Sequence, residues 1–369
     1  MNIAPPMTAV NFEEIERISG STLAGLVRKI DEERIYPEEV MRAYGEAGAY
    51  TSHLSGPASS VDLSQAILSM ARAAEECMST AFCVWCQDTL GWYIASSDND
   101  YLKTHVLPKV AKGSSLGGTG MSNPMKAIGE IEPMKLKGVR VDGGYKVKGI
   151  LPWVSNLLED GYFGTMFHVD VDGEDKPKRV MTIIHAAWEG VKLRLDHDFV
   201  AMGGTATCNV QMRDVFVPDE FILADPADAF VKKMRPGFVL MQCGMAAGII
   251  KNCIELMEQV RAPLGHVNCF LEKQPEDIRA EYDALMAEIL ELAETPYDTS
   301  NAYFKRVLKA RLRGGELSVE AAHFAQLHCG ARGYVSTGAA QRRLREAYFV
   351  AIVTPATKHL RKLISELEE

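Results

Sequence analysis

Residues 139–148 read VRVDGGYKVK, and this stretch decides how the rest of the chain divides. Apolar and basic side chains alternate on both sides of Asp142-Gly143-Gly144. A short glycine turn between two alternating runs is a strong local signal for a β-hairpin. The stretch therefore predicts an antiparallel pair of strands near the middle of the chain.

Glycines and alternating β-branched runs extend from Gly113 to about Pro218. Runs rich in β-branched and aromatic residues favour strands. Further strands are predicted at residues 162–171, 179–184, 191–195 and 207–215. We therefore expect a central β domain over residues 113–222, packed as a barrel or a sandwich.

Helical patterns flank this central part on both sides. Apolar residues recur at three- and four-residue steps, as in Val40, Met41, Tyr44 and Ala47, which is the period of an amphipathic helix. After the sheet, helices are predicted at residues 237–260, 275–294, 297–313, 318–329 and 337–368. Their short connections indicate an antiparallel bundle. The predicted fold class is therefore α+β and multi-domain.

The predicted domains are a helical N-terminal domain over residues 1–112, the central β domain, and a four-helix-type bundle over residues 223–369. A net charge of -9 argues against a nucleic-acid partner, which requires a clustered basic face. No run of about 18 uninterrupted apolar residues is present, so we expect no membrane insertion. The start lacks the pattern of a signal peptide, and the 8 cysteines lie mostly in apolar surroundings. We therefore expect a cytoplasmic protein with reduced thiols.

Six segments, in order along residues 20–365, carry a resemblance to a known family. They are 122–124 (SNP), 153–156 (WVSN), 202–205 (MGGT) with 214–220 (DVFVPDE), 261–265 (RAPLG), 326–334 (QLHCGARGY) and 345–347 (REA). Each resembles a segment of the acyl-CoA dehydrogenase family, in the family's order. The resemblance implies that fold, with FAD held between the β domain and the bundle. It does not depend on a G-x-G-x-x-G dinucleotide fingerprint, which the glycines at 117–120 do not complete.

The resemblance assigns three residues to the flavin ring. Ser122 and Ser155 stand where the family uses threonines, so their hydroxyls are expected to donate hydrogen bonds near N5 and O4. Trp153 is expected to shield one face of the ring from water. The alternative is that both serines are ordinary hydroxyls at a turn and a strand end.

The resemblance places three more residues at the adenosine half of the cofactor. Arg261 matches an arginine that reaches the pyrophosphate of a neighbouring subunit, where a guanidinium suits phosphate. Gln326 and Gly330 match residues against the neighbouring adenosine, and glycine allows a close backbone approach. These matches imply FAD rather than FMN, and a homodimer or homotetramer that shares its sites. The alternative is that Arg261 is only a solvated charge at the end of a helix.

The family's catalytic base has no counterpart in this sequence. A carboxylate base for the α-proton is expected to contribute about 10²–10⁴-fold to the rate. The position of the usual glutamate corresponds to Thr354, and the alternative position falls near Met241, beside Gln242. No acid occurs in 237–254 or in 348–363. Thr354 is therefore the candidate catalytic position, and Met241 and Gln242 are candidates for the substrate pocket.

Three functions remain open. The first is an FAD-dependent oxidoreductase that acts on an acyl-CoA thioester or a similar small substrate, with hydride transfer to flavin N5 and an electron-accepting flavoprotein as partner. The second is a flavin-dependent monooxygenase of the same fold, which uses oxygen and a flavin reductase; His328 and His359 are its candidate catalytic histidines. The third is a flavin-binding relative without catalytic activity.

Cys83 and Cys86 form a CxxC pair, which elsewhere indicates a metal or redox site. No second pair at ligand spacing completes a zinc site, so we expect no metal. The segment 80–93 reads as a buried helix, where small cysteines fill space. Its family counterpart lies near the substrate cavity, so Trp85 is expected to line that pocket.

Overall fold

The computed structural model describes residues 8–54 and 60–368. Helices come first, a β-sheet follows, and a second set of helices completes the chain. This order confirms the predicted fold class. The last helix before the sheet ends at Ala111 and the first helix after it begins at Asp228. The domain boundaries at residues 112 and 222 stay predictions.

The N-terminal helices surround one buried helix. Their bounds are α1 (Phe12–Arg17), α2 (Ala24–Glu32), α3 (Glu38–Glu46), α4 (Ser64–Glu76), α5 (Met78–Ser96), α6 (Asp100–His105) and α7 (Leu107–Ala111), with a π-helical turn at Ile18–Leu23. Helix α5 is apolar on every side, and its side chains are buried almost without interruption. A helix that is apolar all round belongs in a core. Helix α5 therefore forms the centre of this part of the fold.

The central strands form one mixed sheet. They are β1 (Gly117–Thr119), β2 (Leu136–Val141), β3 (Gly144–Val154), β4 (Tyr162–Val169), β5 (Lys178–His185), β6 (Val191–Arg194), β7 (Cys208–Pro218) and β8 (Ile222–Ala224). The order is β6-β7-β3-β2-β4-β5-β8, with β1 also paired to β4. The pairs β1/β4 and β2/β4 are parallel, and the other pairs are antiparallel.

The predicted hairpin is confirmed by the register of β2 and β3. Val141 pairs with Gly144, and the turn glycine Gly143 has a φ of 73°. This left-handed conformation is accessible to glycine without a steric penalty. A short helix, α8 (Ser122–Ile128), lies between β1 and β2 and was not predicted from the sequence.

The C-terminal helices form the bundle. Their bounds are α9 (Asp228–Met241), α10 (Cys243–Gln259), α11 (Arg261–Asn268), α12 (Pro275–Ala293), α13 (Asn301–Cys329), α14 (Ala339–Ile352) and α15 (Thr357–Glu366). Helix α10 packs against α4 of the N-terminal part and against α12, α13 and α14 of the bundle. This contact joins the two helical parts of the molecule.

Several predicted helices were wrong in their bounds. The helix predicted at 237–260 is divided between α9, which begins at Asp228, and α10. The helices predicted at 297–313 and 318–329 are the single helix α13, which runs through Gly314. A Cβ on Gly314 would lie 3.0 Å from the Cβ of Ala246 in α10, so this glycine serves a close helix contact and does not break the helix. The helix predicted at 337–368 instead divides near Pro355, because proline lacks an N–H and disfavours a helical residue before it.

One helical stretch has the length and composition of a membrane span. Asp228–Gln259 reaches a mean hydropathy of 1.4, but 89% of its most apolar window is buried inside the protein. Burial of this kind is typical of a core helix, and this stretch is the centre of the bundle.

Gly248 provides a test of the α4/α10 contact. A Cβ at Gly248 would lie 2.1 Å from the Ala71 backbone oxygen and 2.5 Å from the Ala74 Cβ. Gly248→Ala is therefore expected to lower the free energy of unfolding by at least about 2 kcal/mol, because the two backbones must separate. Urea unfolding followed by circular dichroism measures this loss.

Gly25 supplies the matched control for that substitution. It lies in α2, and a Cβ there would meet nothing within 4 Å. Gly25→Ala should raise stability by about 0.5–1 kcal/mol, because glycine is the less favourable residue inside a helix. Equal effects of the two alanines would contradict the close contact between α4 and α10.

Candidate functional site

A cavity of ≈ 390 Å³ opens between the N-terminal helices, the sheet and the bundle. Aromatic and aliphatic side chains form most of its wall, with a group of hydroxyls and two cations. The lining residues are Phe82, Trp85, Thr119, Ser122, Lys126, Trp153, Ser155, Phe199, Val200, Ala201, Met202, Thr205, Thr207, Phe238, Arg345, Tyr348, Phe349, Ile352, Val353 and Thr354. This described lining contains no aspartate, glutamate or histidine.

Four residues singled out from separate parts of the sequence meet at this cavity. Ser122 begins α8, Trp153 lies near the end of β3, Ser155 follows β3, and Thr354 follows α14. The Ser122 Oγ lies 3.0 Å from the Thr354 Oγ1, so the two hydroxyls share a hydrogen bond. The structure thus brings a ring-binding candidate into contact with the position of the usual base.

Trp153 presents its indole at the mouth of the cavity. It is 40% exposed and packs beside His197, with the ring centroids 4.4 Å apart and the planes tilted by 33°. The His197 Nε2 is 2.8 Å from the Pro152 carbonyl oxygen, which fixes the imidazole behind the indole. Trp153 therefore offers a supported aromatic surface to a bound ring.

Trp85, for which the family resemblance implies a place in the substrate pocket, lines the buried end of this cavity and is 2% exposed. The indole stacks on Phe82 at 5.6 Å and meets Phe238 edge-on at 5.0 Å. Its Nε1 donates to the Phe238 carbonyl oxygen at 3.3 Å, which satisfies the indole N–H in an apolar setting. This end of the cavity suits an apolar group.

Three hydroxyls on the cavity wall form a chain. The Ser155 Oγ lies 2.7 Å from the Thr207 Oγ1, which lies 2.7 Å from the Thr205 Oγ1. The Thr205 hydroxyl donates to the Met202 carbonyl oxygen at 2.8 Å. All three hydroxyl residues are buried, with exposed fractions of 6%, 9% and 1% for Ser155, Thr207 and Thr205.

A buried arginine supports the Thr354 segment from behind. The Arg311 Nε donates to the Gln242 Oε1 at 2.7 Å, and the Gln242 Nε2 donates to the Thr354 carbonyl oxygen at 2.9 Å. Arg311 also donates to the Val350 carbonyl oxygen. Burial lowers the pKa of Arg311 to about 10, so the guanidinium remains charged at neutral pH. Gln242 therefore acts on the cavity through Thr354.

The charged groups of the lining are both cationic. Arg345 donates to both carboxylate oxygens of Asp31 and, at 2.9 Å, to the Val200 carbonyl oxygen. The Lys126 Nζ lies 3.8 Å from a carboxylate oxygen of Glu132. With no carboxylate in the described lining, the cavity holds no side chain of the family's usual base type.

Five predicted site residues lie outside the cavity wall. Met241 and Gln242 are fully buried at the junction of α9 and α10, and neither is a lining residue. Arg261 begins α11 and forms an ion pair with a glutamate of α12. Gln326 and Gly330 lie at the end of α13, where the Gln326 Nε2 donates to the Gly330 carbonyl oxygen at 3.1 Å. Their assigned roles toward a neighbouring subunit stay predictions.

Neither candidate histidine faces the cavity. The His328 Nε2 lies 2.9 Å from the Lys273 carbonyl oxygen, within the bundle. His359 is buried on α15 against Gly129, and burial lowers its pKa to about 4. Both histidines pack against backbone instead of lining the space where a substrate would bind.

Cys83 and Cys86 are buried free thiols of α5, and burial raises the pKa of both. Among the described residues, no group of three or more histidines, cysteines or acids is arranged to hold a metal ion.

Sequence reasoning missed several lining residues. Thr205 and Thr207 fall in a motif and a strand that the sequence identifies, but their hydroxyls were given no role. Arg345 was recognised as part of a motif, without its link to Asp31. Lys126 carried no sequence signal, because nothing local indicates that α8 turns it toward the cavity.

Comparisons with known proteins agree with this architecture. Residues 9–114 match the family model "Acyl-CoA dehydrogenase, N-terminal domain". The 2-methylacyl-CoA dehydrogenase, mitochondrial, of Solanum tuberosum is 23% identical and aligns over 95% of this chain and 88% of its own length. The chain thus resembles this relative over nearly its full length.

Two solved structures share the fold. Butyryl-CoA dehydrogenase from Megasphaera elsdenii superposes with a TM-score of 0.83 at 15% identity, covering 96% of each chain. Dibenzothiophene monooxygenase (TdsC) from Paenibacillus sp. A11-2 gives 0.78 at 16% identity, covering 95% of each chain. The family model over residues 9–114, the relative aligned over most of the chain and the shared fold all support the acyl-CoA dehydrogenase superfamily.

Proposed function

We propose that this protein is an FAD-dependent oxidoreductase that acts on an acyl-CoA thioester or a similar small substrate. The observation that carries the proposal is the convergence of Ser122, Trp153 and Ser155 on one apolar cavity. These residues lie on α8 and around the end of β3, and they combine hydroxyls with a flat aromatic surface. Such a set suits a polar-edged ring.

The donor set fits a flavin. Ser122 and Ser155 supply hydroxyls, and Trp153 supplies a face against which a ring can lie. Outside the cavity wall, at the end of α13, the Gln326 Oε1 is buried without a hydrogen-bond partner among the described residues, which suits a contact with the adenosine half of a cofactor held by a neighbouring subunit. When bound, the flavin would accept a hydride at N5. The protein's own contribution would be to hold the ring, exclude water and orient the substrate.

The substrate is expected to place its apolar part against the deep wall. Phe82, Trp85 and Phe238 form that wall with their aromatic rings in mutual contact. A polar group of the substrate would then lie toward the rim, near Lys126 and Arg345. This arrangement fits an acyl group joined to a larger polar carrier.

A second candidate function is a flavin-dependent monooxygenase. The observation that favours it is the absence of any carboxylate or histidine from the described lining. Removal of an α-proton from a thioester requires a positioned base, whereas oxygen activation on reduced flavin does not. A flavin reductase would then be the partner, in place of an electron-accepting flavoprotein.

Anaerobic titration distinguishes the two functions. The purified protein is loaded with FAD and mixed with a panel of acyl-CoA thioesters of different chain length. Bleaching of the flavin absorbance by any thioester supports the dehydrogenase-type reaction. Without bleaching, oxygen uptake by the chemically reduced protein that depends on an added organic substrate supports the monooxygenase. Failure to bind FAD would overturn both.

We also propose a homodimer or homotetramer. Large apolar side chains are exposed at the ends of α11 and α13. They are Val267 (49%), Phe270 (86%), Leu327 (43%), Tyr334 (81%) and Val335 (54%). The Asn268 Nδ2 donates to the His328 carbonyl oxygen at 3.1 Å, which joins these two helix ends. An exposed apolar surface of this kind favours association. Sedimentation velocity measures the assembly, and a monomer at micromolar concentration would contradict it.

A further inference from the structure

The hydroxyls of the chain on the cavity wall can donate their protons in only one direction, from Ser155 toward the Met202 carbonyl oxygen. A carbonyl oxygen has no proton, so the 2.8 Å contact between Thr205 and the Met202 oxygen requires the Thr205 hydroxyl to donate. Each hydroxyl has a single proton. Thr207 must therefore donate across the 2.7 Å contact to Thr205. Ser155 must in turn donate across its own 2.7 Å contact to Thr207.

This proton count leaves Ser155 with lone pairs, and no proton, for a ligand in the cavity. The family resemblance instead implies that Ser155 donates a hydrogen bond. Oxidised flavin has a bare N5 that accepts hydrogen bonds, whereas two-electron reduction converts N5 into an N–H donor. An oxygen that can only accept is complementary to the N–H and not to the bare nitrogen.

We propose that the chain from Ser155 through Thr207 and Thr205 to the Met202 carbonyl fixes Ser155 as an acceptor and thereby favours the reduced form of a bound flavin. Thr205 and Thr207 are positioning residues, because they act on the ligand through Ser155. This inference rests on the proposed binding of FAD and on the place beside N5 that the family resemblance implies for Ser155. It adds a specific prediction for the reduction potential, which the binding of FAD alone does not supply.

Substitution of either threonine by the nearly isosteric valine tests the proposal. In Thr207→Val the Ser155 proton loses its acceptor and becomes free to point into the cavity. In Thr205→Val the Thr207 hydroxyl becomes free to donate to Ser155, with the same result. Each change is expected to weaken the preference for reduced over oxidised flavin by about tenfold, which corresponds to the net free energy of one hydrogen bond. For a two-electron couple this lowers the potential by about 30 mV.

The measurement is the two-electron potential of the FAD-loaded protein, obtained by slow anaerobic reduction in the presence of a reference dye. Thr205→Ser and Thr207→Ser keep a hydroxyl at each position and should retain the wild-type potential. In a Ser155→Ala background, Thr205→Val should cause no further shift, because its effect passes through Ser155. If Thr205→Val does not fold, Thr207→Val alone tests the proposal.

Three results would overturn the inference. The first is valine and serine variants with equal potentials. The second is a shift on Thr205→Val that persists in the Ser155→Ala background. The third is a wild-type protein that binds no FAD, which would also overturn the proposed function. If the variants bind FAD and their potentials equal that of the wild type, the inference about the hydroxyl chain fails while the proposed function stands. The two failures are therefore distinguishable.

Discussion

Thr354→Glu is expected to raise the rate of flavin reduction by acyl-CoA thioesters by about 10²–10⁴-fold. Thr354 lines the cavity, and its hydroxyl lies 3.0 Å from the Ser122 Oγ. A carboxylate introduced here would enter a space whose described lining contains no other acid. The variant would thus supply the group that the family uses to remove the α-proton.

The pH dependence of Thr354→Glu follows from the cavity wall. Apolar neighbours such as Phe349 and Val353 disfavour the charged form, so burial should raise the pKa of the introduced carboxyl above its ordinary value of about 4.3. Lys126 opposes this shift, since a cation favours the carboxylate. Only the ionised form is a base, so the rate should rise with pH through this pKa.

Thr354→Gln is the matched control, because it has nearly the same shape as glutamate but cannot act as a base. Stopped-flow recording of flavin absorbance under anaerobic conditions gives the rate for each variant. Equal rates for the two variants would show that pocket shape, and not a base, limits the reaction. No gain in either would count against an acyl thioester as the substrate and favour the monooxygenase.

The parts of the structure that the sequence predicts well depend on local signals. The hairpin at 139–148 requires only a turn glycine and alternation, and the two strands pair antiparallel with Val141 opposite Gly144. The segments around Ser122, Trp153 and Ser155 were identified by short motifs, and the fold then placed them on one cavity. The order of these motifs along the chain was therefore enough to predict that their side chains lie close together.

The features that the sequence does not reveal depend on contacts between distant residues. Glycine is unfavourable inside a helix, so Gly314 alone indicates a helix end. In the structure the helix continues through Gly314, because the missing side chain allows close packing against Ala246. The direction of the hydroxyl chain depends on one carbonyl, that of Met202, which no motif identifies. Arg311 reaches Gln242 from another helix, 69 residues away in sequence. Such pairings follow from packing and not from local propensity.

Glu346→Ala is expected to lower the free energy of unfolding by about 3–5 kcal/mol, because it leaves buried charge without a counter-ion. The Glu346 Oε1 accepts from the Arg342 Nη1 at 2.8 Å, and the Oε2 accepts from the Arg343 Nη1 at 2.7 Å. Arg343 is fully buried and Glu346 is 3% exposed. Urea unfolding measures the loss.

Glu316→Ala supplies the control at an exposed ion pair. Glu316 pairs with Arg361 at 2.6 Å, and the Arg361 side chain is 66% exposed. Water screens this pair, so its removal should cost less than about 1 kcal/mol. Similar losses for the two alanines would contradict a special role for the buried carboxylate.

A double substitution separates lost charge pairing from lost packing. Arg343 also donates to the Ala74 carbonyl oxygen at 3.1 Å and to that of Glu75, both near the end of α4, where a helix favours a cation. If the unpaired charge of Arg343 causes the loss, Glu346→Met combined with Arg343→Met should be more stable than Glu346→Ala alone, since apolar residues of similar volume replace this buried pair at little cost. Arg342 loses its carboxylate partner in both variants, so its contribution cancels in the comparison. If the double variant is less stable, the links from Arg343 to α4 contribute more than the ion pair.

Helix α14 also carries Tyr348 and Phe349 to the cavity wall. Loss of its attachment to α4 should therefore weaken the proposed binding of FAD in parallel with stability.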